Sequence, residues 1–330
     1  MKVTILTEGG GDTGYGHITR CTSVYQAFEE RGIKSQLIVN GDETIENLLK
    51  GKYYKIFNWL DDQQLLFEIL DNVNIVLIDS YLADYDLYEK ISTLAGTAVY
   101  FDDDIRIAYP RGFVVNGAIF AEQMLYPRRK NVTYLLGTMY TPLRKEFWDV
   151  AARATHDNLK TIMVTFGGSD MCNVTPKVQE VLNKTYPYVQ KKIIVTRFFA
   201  NMSEVKKLRD KNTELIYEPD AIELKEIMQE CDIAISAGGQ TLYELARVGV
   251  PTIGICIAQN QLQNVNGWSK SGFLEYIGWY NDKDIQSKLI AALEKMKSYN
   301  KRFSCSKKTR ELIDGKGSRR VCDTLLQGTQ

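Results

Sequence analysis

Twice in this chain a short apolar, β-branched run opens into a cluster of glycines and then into a helical pattern, and that recurrence restricts the fold more than any other feature. The first copy is Val3-Thr-Ile-Leu-Thr7 followed by Glu8-Gly-Gly-Gly-Asp-Thr-Gly-Tyr-Gly-His17. The second is Lys160-Thr-Ile-Met-Val-Thr-Phe166 followed by Gly167-Gly-Ser-Asp170. A short β-branched run bounded by turn residues reads as a buried strand. Strands are expected at 3–7, 35–39, 54–57, 73–78, 97–101 and 113–115, then at 160–166, 193–195, 214–217, 233–236 and 252–255, with helical spacing between most of them. Alternation of this kind builds a parallel sheet covered by helices on both faces, with ligands at the carboxyl ends of its strands. At 330 residues the chain is too long for one ordinary core. The expected fold is therefore α/β, two tandem Rossmann-like doubly wound domains at 1–152 and 158–312 with a cleft between them. A helix over 143–154 is expected to close the first domain. The chain breaks at Asp314-Gly-Lys-Gly317, and 313–330 is expected to end in a helix packed back on the first domain.

The first glycine loop has five glycines in eight positions, Gly9, Gly10, Gly11, Gly14 and Gly16. Such a loop lets backbone approach a ligand closely, and the helix it feeds offers unpaired N–H groups and a positive dipole end to a phosphate or developing anion. Ile18, Cys21, Val24, Tyr25 and Phe28 carry that helix, and Gly32 is placed to stop it. Gly9-x-Gly11-x-x-Gly14 satisfies the dinucleotide fingerprint in letters only. The loop runs on through Gly16 and His17, and the second strand ends in Asn40-Gly41-Asp42 with its acid too late for the ribose. No Gly-Lys-Ser/Thr follows, so the loop is not a P-loop. His17, in the first turn, is expected to be held neutral by the helix dipole and to accept a proton from water, or else to bond a loop carbonyl. Arg20, one turn on, suits either a diphosphate or a salt bridge with Asp12.

Composition removes several classes of function. Lys plus Arg and Asp plus Glu each number 41, so no general grip on nucleic acid or an anionic membrane is expected. No apolar run approaches the roughly 20 residues that span a bilayer, and no basic and apolar leader precedes the first strand, which predicts a cytoplasmic protein. The six cysteines form no C-x-x-C pair and are expected as buried free thiols.

In the second half, Ser236-Ala-Gly238-Gly239-Gln-Thr241 follows a buried strand and begins a helix, so its N–H groups and the Thr241 hydroxyl suit a diphosphate without a metal. Glu244 lies one turn on, where a carboxylate can accept both ribose hydroxyls, the alternative being a solvated helix face. Asn260-Gln261 opens an amide-rich helix start suited to sugar hydroxyl or acetamido groups, or merely a polar cap. Gly168 and Ser169 make a phosphate-sized loop. Asp102-Asp103-Asp104 contains a D-x-D, read as loop anchoring or sugar contact rather than as a metal site. Asn116-Gly117 ends another strand at the expected ligand side. His156 sits in the connection between domains with no motif around it.

Taken in series, Gly14-Tyr-Gly16-His17-Ile-Thr-Arg20-Cys21, Asp79-Ser-Tyr81, Phe101-Asp-Asp103, Gly167-Gly-Ser-Asp170 and Ser236-Ala-Gly-Gly-Gln-Thr-Leu-Tyr-Glu244 resemble the PseG/SpsG family across nearly the whole chain. That family comprises UDP-2,4-diacetamido-2,4,6-trideoxy-β-L-altropyranose hydrolases and spore-coat polysaccharide relatives, and is similar in fold to the MurG glycosyltransferase. The resemblance implies a GT-B architecture and hydrolysis of a UDP-sugar at its anomeric carbon in pseudaminic acid synthesis. It implies that His17 and Tyr81 are the catalytic candidates and that UDP-sugar is the small-molecule partner, with no cofactor. The chain has Asp79-Ser80-Tyr81-Leu82 where the family pattern has Asp-His-Tyr-Gly.

Overall fold

The computed structural model describes residues 1–10 and 14–328. Gly11 of the glycine loop and Asp12, a candidate partner of Arg20, lie outside the described residues. The chain divides into two compact units: Met1–Trp148 with the chain from Gly315 onward, and Asp149–Asp314.

The first unit runs β1 (Val3–Gly9), α1 (Gly16–Glu29), β2 (Ser35–Gly41), α2 (Glu46–Leu49), β3 (Tyr54–Ile56), α3 (Gln63–Leu70), β4 (Ile75–Asp79), α4 (Tyr85–Leu94), β5 (Thr97–Phe101), β6 (Gly112–Asn116) and β7 (Val132–Leu136). Its seven strands lie in the order β3-β2-β1-β4-β5-β6-β7, all parallel. The second unit runs β8 (Thr161–Thr165), α5 (Val174–Thr185), β9 (Gln190–Val195), α6 (Met202–Lys207), β10 (Thr213–Tyr217), α7 (Ala221–Glu230), β11 (Ile233–Ser236), α8 (Gln240–Val248), β12 (Thr252–Cys256), α9 (Leu262–Lys270), β13 (Leu274–Trp279), α10 (Ile285–Met296) and α11 (Tyr299–Leu312). Its parallel order is β10-β9-β8-β11-β12-β13. Both sheets are doubly wound, and in each the order reverses beside the first strand, between β1 and β4 and between β8 and β11. Ligands of such sheets bind at these reversal points, outside the strands' carboxyl ends.

Apolar side chains on both faces of the sheets explain the near-continuous hydrophobic runs of the central strands. Leu6, Ile38, Val76, Ile78 and Tyr100 enter one cluster with α3 and α4, and Ile162, Val164, Ile193, Ile235 and Ile253 another with α5 and α10. All six cysteines are free thiols, and all but Cys172 are buried.

Three expectations about elements change. The helix expected over 143–154 is absent: Lys145–Phe147 makes a single 3-10 turn and the chain then runs irregularly. The Leu143 carbonyl, which would open an α-helix, instead accepts the Trp148 indole N–H at 2.7 Å and the Ser23 hydroxyl. Strands β7 and β13 add to those the sequence pattern marks. Both are edge strands with mixed exposure, and β13 is further broken by Gly278 at φ 118° and by a register shift against β12.

The last helix, α12 (Gly317–Gly328), belongs to the first unit and packs on α1. Ser318 and Ser23 hydroxyls meet at 2.6 Å, and Arg319 pairs with Glu30. A Cβ on Gly317 would lie 2.0 Å from the Thr141 carbonyl oxygen, so only glycine permits this approach. Among the described residues no helix is long and apolar enough to cross a membrane.

Candidate active site

Asp79 is the last residue of β4 and pairs in register with Thr7 of β1, which brings it beside the start of α1. His17 stands in the first turn of α1, and its Nδ1 lies 2.5 Å from Asp79 Oδ1. One turn on, Arg20 grips the same carboxylate with Nε at 2.5 Å and Nη2 at 2.6 Å, and its Nη1 reaches both oxygens of Asp103 at 2.7 and 3.0 Å. Tyr81 donates its hydroxyl to Asp103 at 2.5 Å and sets its ring edge-on to His17, centroids 4.5 Å apart. The Arg20 guanidinium lies over the Phe101 ring.

The charges in this cluster are fixed by their neighbours. Burial works against the Asp79 carboxylate, yet the Arg20 guanidinium and His17 outweigh it and hold Asp79 well below the usual carboxylate range. Burial likewise opposes charge on Arg20 and on Asp103, and their mutual attraction overrides it in both, keeping Arg20 protonated and Asp103 ionised. Burial and the Asp103 carboxylate push the Tyr81 phenol far above its ordinary value, so it is a donor and not a base. An ionised Asp79 at 2.5 Å makes Nδ1 of His17 the protonated ring nitrogen. The Arg20 Nη2 contact with Nδ1 at 3.2 Å is then a near neighbour rather than a hydrogen bond, because both atoms are donors. Nε2, to which no described group bonds, is left as the proton acceptor.

The geometry shows where several of the candidate residues spend their bonds. Arg20 spends its Nε, Nη1 and one Nη2 hydrogen on two carboxylates. Asp102 anchors its loop. It is buried and accepts the N–H groups of Ile105 and Arg106 and the hydroxyls of Tyr109 and Tyr126. Asn116 is likewise spent within the fold, its amide donating to Tyr126 and accepting the Ala118 N–H. Gly14 does not present its N–H to a ligand, because Gly10 and Gly14 exchange two backbone hydrogen bonds at 2.8 and 3.1 Å. Gly16 opens α1, which no side chain caps. Asp79 and Asp103 lie in motifs the sequence marks, but their pairing with His17, Arg20 and Tyr81 and the part of the buried Glu8 are not written in any spacing.

In the second unit the two glycine loops have different fates. The loop of Gly168 and Ser169 does not lead straight into α5. Asp170 turns back to cap that helix, accepting the N–H groups of Val174 and Thr175 at 2.9 Å each, so a carboxylate already holds the place expected for a phosphate. Gly168 is exposed, Ser169 half-buried. At the other loop, Ser236 is buried and Gly239 begins α8 without any side-chain cap, with Thr241 half-buried in the first turn. Gly238 is pressed on α9: a Cβ there would meet Val265 at 2.6 Å. Its N–H donates to Gln261 Oε1 at 3.1 Å and its carbonyl accepts from Asn264 at 3.2 Å. Gln261 thus closes the loop through its Oε1, while Asn260 is exposed. Glu244 is 2% exposed, which rules out a solvated helix face. His156, half-exposed, bonds the buried Asp232 at 2.8 Å and ties down the connecting segment. Among the described residues no cluster of three or more His, Cys, Asp or Glu side chains is arranged to hold a metal ion.

Two parallel doubly wound units, each with a glycine-rich turn at its reversal point, define the GT-B class. The solved structure of MurG from Acinetobacter baumannii matches 99% of this chain and all of its own with a TM-score of 0.71 at 12% identity. Residues 161–320 match the glycosyltransferase family 28 C-terminal domain. Within that class the chain is similar to SpsG and to a pseudaminic acid enzyme. It is 24% identical over 337 residues to the spore coat polysaccharide biosynthesis protein SpsG of Bacillus subtilis, covering 98% of both chains. It is 25% identical over 267 residues, 79% of this chain, to the pseudaminic acid cytidylyltransferase and UDP-2,4-diacetamido-2,4,6-trideoxy-β-L-altropyranose hydrolase of Helicobacter pylori. The chain spans about half the length of the first two curated relatives it matches, 57% of one and 46% of the other.

Proposed function

We propose that this chain is a cytoplasmic enzyme that hydrolyses the anomeric C–O bond of a UDP-2,4-diacetamido-2,4,6-trideoxyhexose, releasing UDP and the free sugar for nonulosonic acid or surface polysaccharide synthesis. The observation that carries the reading is the His17–Asp79 pair, with Nδ1 engaged at 2.5 Å and Nε2 left to take a proton. A protein that only binds a nucleotide sugar has no use for an imidazole held in one tautomer by a carboxylate. In the reaction, His17 Nε2 accepts a proton from a water as that water attacks the anomeric carbon on the face opposite UDP, and the C–O bond to the diphosphate breaks. Positive charge builds on the ring carbon and oxygen as UDP leaves. UDP is held by the uncapped start of α8, with N–H groups from Gly239 onward and the Thr241 hydroxyl on the diphosphate and Glu244 on the ribose. Tyr81, its ring edge-on to His17, contacts the sugar. The reading assigns no metal and no cofactor, and displacement at one face inverts the anomeric centre.

The family 28 domain and the MurG-like fold favour a second reading, an inverting transferase with the same donor and a sugar or lipid hydroxyl in place of water. Incubation with the bis-acetamido UDP-sugar in oxygen-18 water without an acceptor separates the two. Label on the sugar carbon with free UDP is the expected result. Label on UDP would mean P–O cleavage, and no turnover until an acceptor is added would replace the hydrolase by the transferase.

A further inference from the structure

Glu8, the penultimate residue of β1, is 4% exposed and spends both carboxylate oxygens on the loop that follows β4. Oε2 accepts the Ser80 hydroxyl at 2.5 Å, and Oε1 accepts the Tyr81 backbone N–H at 2.7 Å. The Ser80 oxygen in turn accepts the N–H groups of Leu82 and Ala83, each at 3.0 Å. A hydroxyl has one proton and two lone pairs, and here all three are used. Three successive backbone N–H groups, at 81, 82 and 83, are therefore satisfied by two buried side chains. The Ser80 carbonyl is held as well, by the Tyr88 hydroxyl at 3.1 Å. A buried carboxylate is costly unless fully bonded, and the bonds of this one go to that loop.

We propose that Glu8 and Ser80 are positioning residues, a buried carboxylate and hydroxyl that pin the 80–83 backbone to β1 and thereby set the Tyr81 ring against His17 and its hydroxyl on Asp103. The consequence for turnover rests on the hydrolase reading; the placement of Tyr81 does not. Glu8→Gln breaks the arrangement despite its shape. Its amide oxygen can still accept the Tyr81 N–H, but its NH2 then faces a Ser80 oxygen that already accepts two donors, and the Ser80 proton loses its acceptor. Ser80→Ala orphans the N–H groups of Leu82 and Ala83. Ser80→Thr keeps the hydroxyl.

The chain has only two histidines, so the imidazole NMR spectrum contains His17 and His156 alone, and a Tyr81 ring edge-on at 4.5 Å places a ring-current shift on His17. In Ser80→Ala and in Glu8→Gln the His17 resonances are expected to move towards those of a free histidine while those of His156 stay, and in Ser80→Thr both stay. In the hydrolase assay, kcat is expected to fall about ten-fold or more in the first two variants, since small displacements near the reacting atoms are costly. The affinity for UDP alone changes little. The double variant is expected to be no worse than Glu8→Gln, because the two residues act as one unit. Unmoved His17 resonances in both variants, or losses that multiply in the double variant, would overturn the proposal. If the unaltered protein hydrolyses no UDP-sugar, the hydrolase reading fails, and the resonance shift alone decides this one. Should Ser80→Ala not fold, Ser80→Cys, with a weaker donor and acceptor, reads the same resonance.

Discussion

One carboxylate, that of Asp79, receives the His17 imidazole, two arms of Arg20 and, at 3.6 Å, the Cys21 thiol. Such crowding has a catalytic and a thermodynamic consequence, and Asp79→Asn separates them. An asparagine there no longer selects the Nδ1–H tautomer, so turnover is expected to fall on the order of ten-thousand-fold, the scale seen when a carboxylate that orients an imidazole becomes an amide. It also leaves the Arg20 charge with Asp103 alone, which costs on the order of 3 kcal/mol for a buried pair broken on one side. The sign of the pH dependence follows from the depressed Asp79 pKa. The stabilisation is fully present above the unfolded carboxylate value of about 4 and is lost as the pH falls through the native value below it. Denaturation of the two proteins should therefore differ by a constant amount above about pH 5 and converge in acid; a gap that widens in acid would refute the assignment. The sequence made His17 legible through its glycine loop and helix start, but its partner was not. Asp79 is 62 residues away, and only the adjacency of β1 and β4 joins them. The carboxylate partners of Arg20 were hidden for the same reason: spacing along α1 shows which residues share its face, not which strand ends meet it.

Helices α5 and α8 look alike as sequence, each following a buried strand and a pair of glycines, and differ in one side chain. Asp170 lies far enough past Gly168 to fold back on Val174 and Thr175, whereas nothing with a carboxylate stands between Gly239 and the first turn of α8. Which loop a ligand can use was therefore hidden in the local turn, where Asn173 takes a left-handed φ of 52° before α5 begins. The general architecture was readable because apolar strand runs and helical periodicity repeat. Strands β7 and β13 were not; edge position alone does not hide a strand, since the edges β3 and β10 were readable, but β13 is also interrupted by Gly278 at φ 118° and by a register shift against β12. Two substitutions test the difference between the helices. Asp170→Ala removes a cap from buried donors and should lower stability by about 1–2 kcal/mol while leaving UDP affinity within about a factor of two. Glu244→Ala should weaken UDP binding about ten-fold or more, the loss expected for a hydrogen-bonded carboxylate, with EDTA making no difference. Calorimetry with UDP reads both; tighter dependence on Asp170 than on Glu244 would move the nucleotide to the other loop.

For the whole molecule, the return of the chain to its first unit carries a substantial energetic weight. After Asp314 the backbone passes Gly315 at φ 80° and Gly317, wedged on Thr141, and α12 then buries Val321, Cys322 and Leu325 completely. Full burial of a Val or Leu side chain contributes about 1.5–3 kcal/mol, so these three together rival the roughly 5–15 kcal/mol that holds a whole domain folded. The surface ion pairs Arg31 with Asp323 and Arg319 with Glu30 add little by comparison, since both carry exposed partners. Ending the chain at Asp314 should thus strip α1 of its cover and unfold the unit that holds His17, Arg20, Asp79 and Asp103, while sparing Asp149–Asp314, whose internal packing is intact. The expected outcome is a protein that binds UDP within about two-fold of the full chain, gives native amide dispersion for the second unit only, and hydrolyses no UDP-sugar. Leu325→Ala in the full chain should show a graded form of the same effect, about 2–5 kcal/mol for a core leucine. If the truncated chain instead kept its hydrolysis and melted as the full chain does, α12 would be dispensable packing, and the first unit's core would have to be sufficient without it.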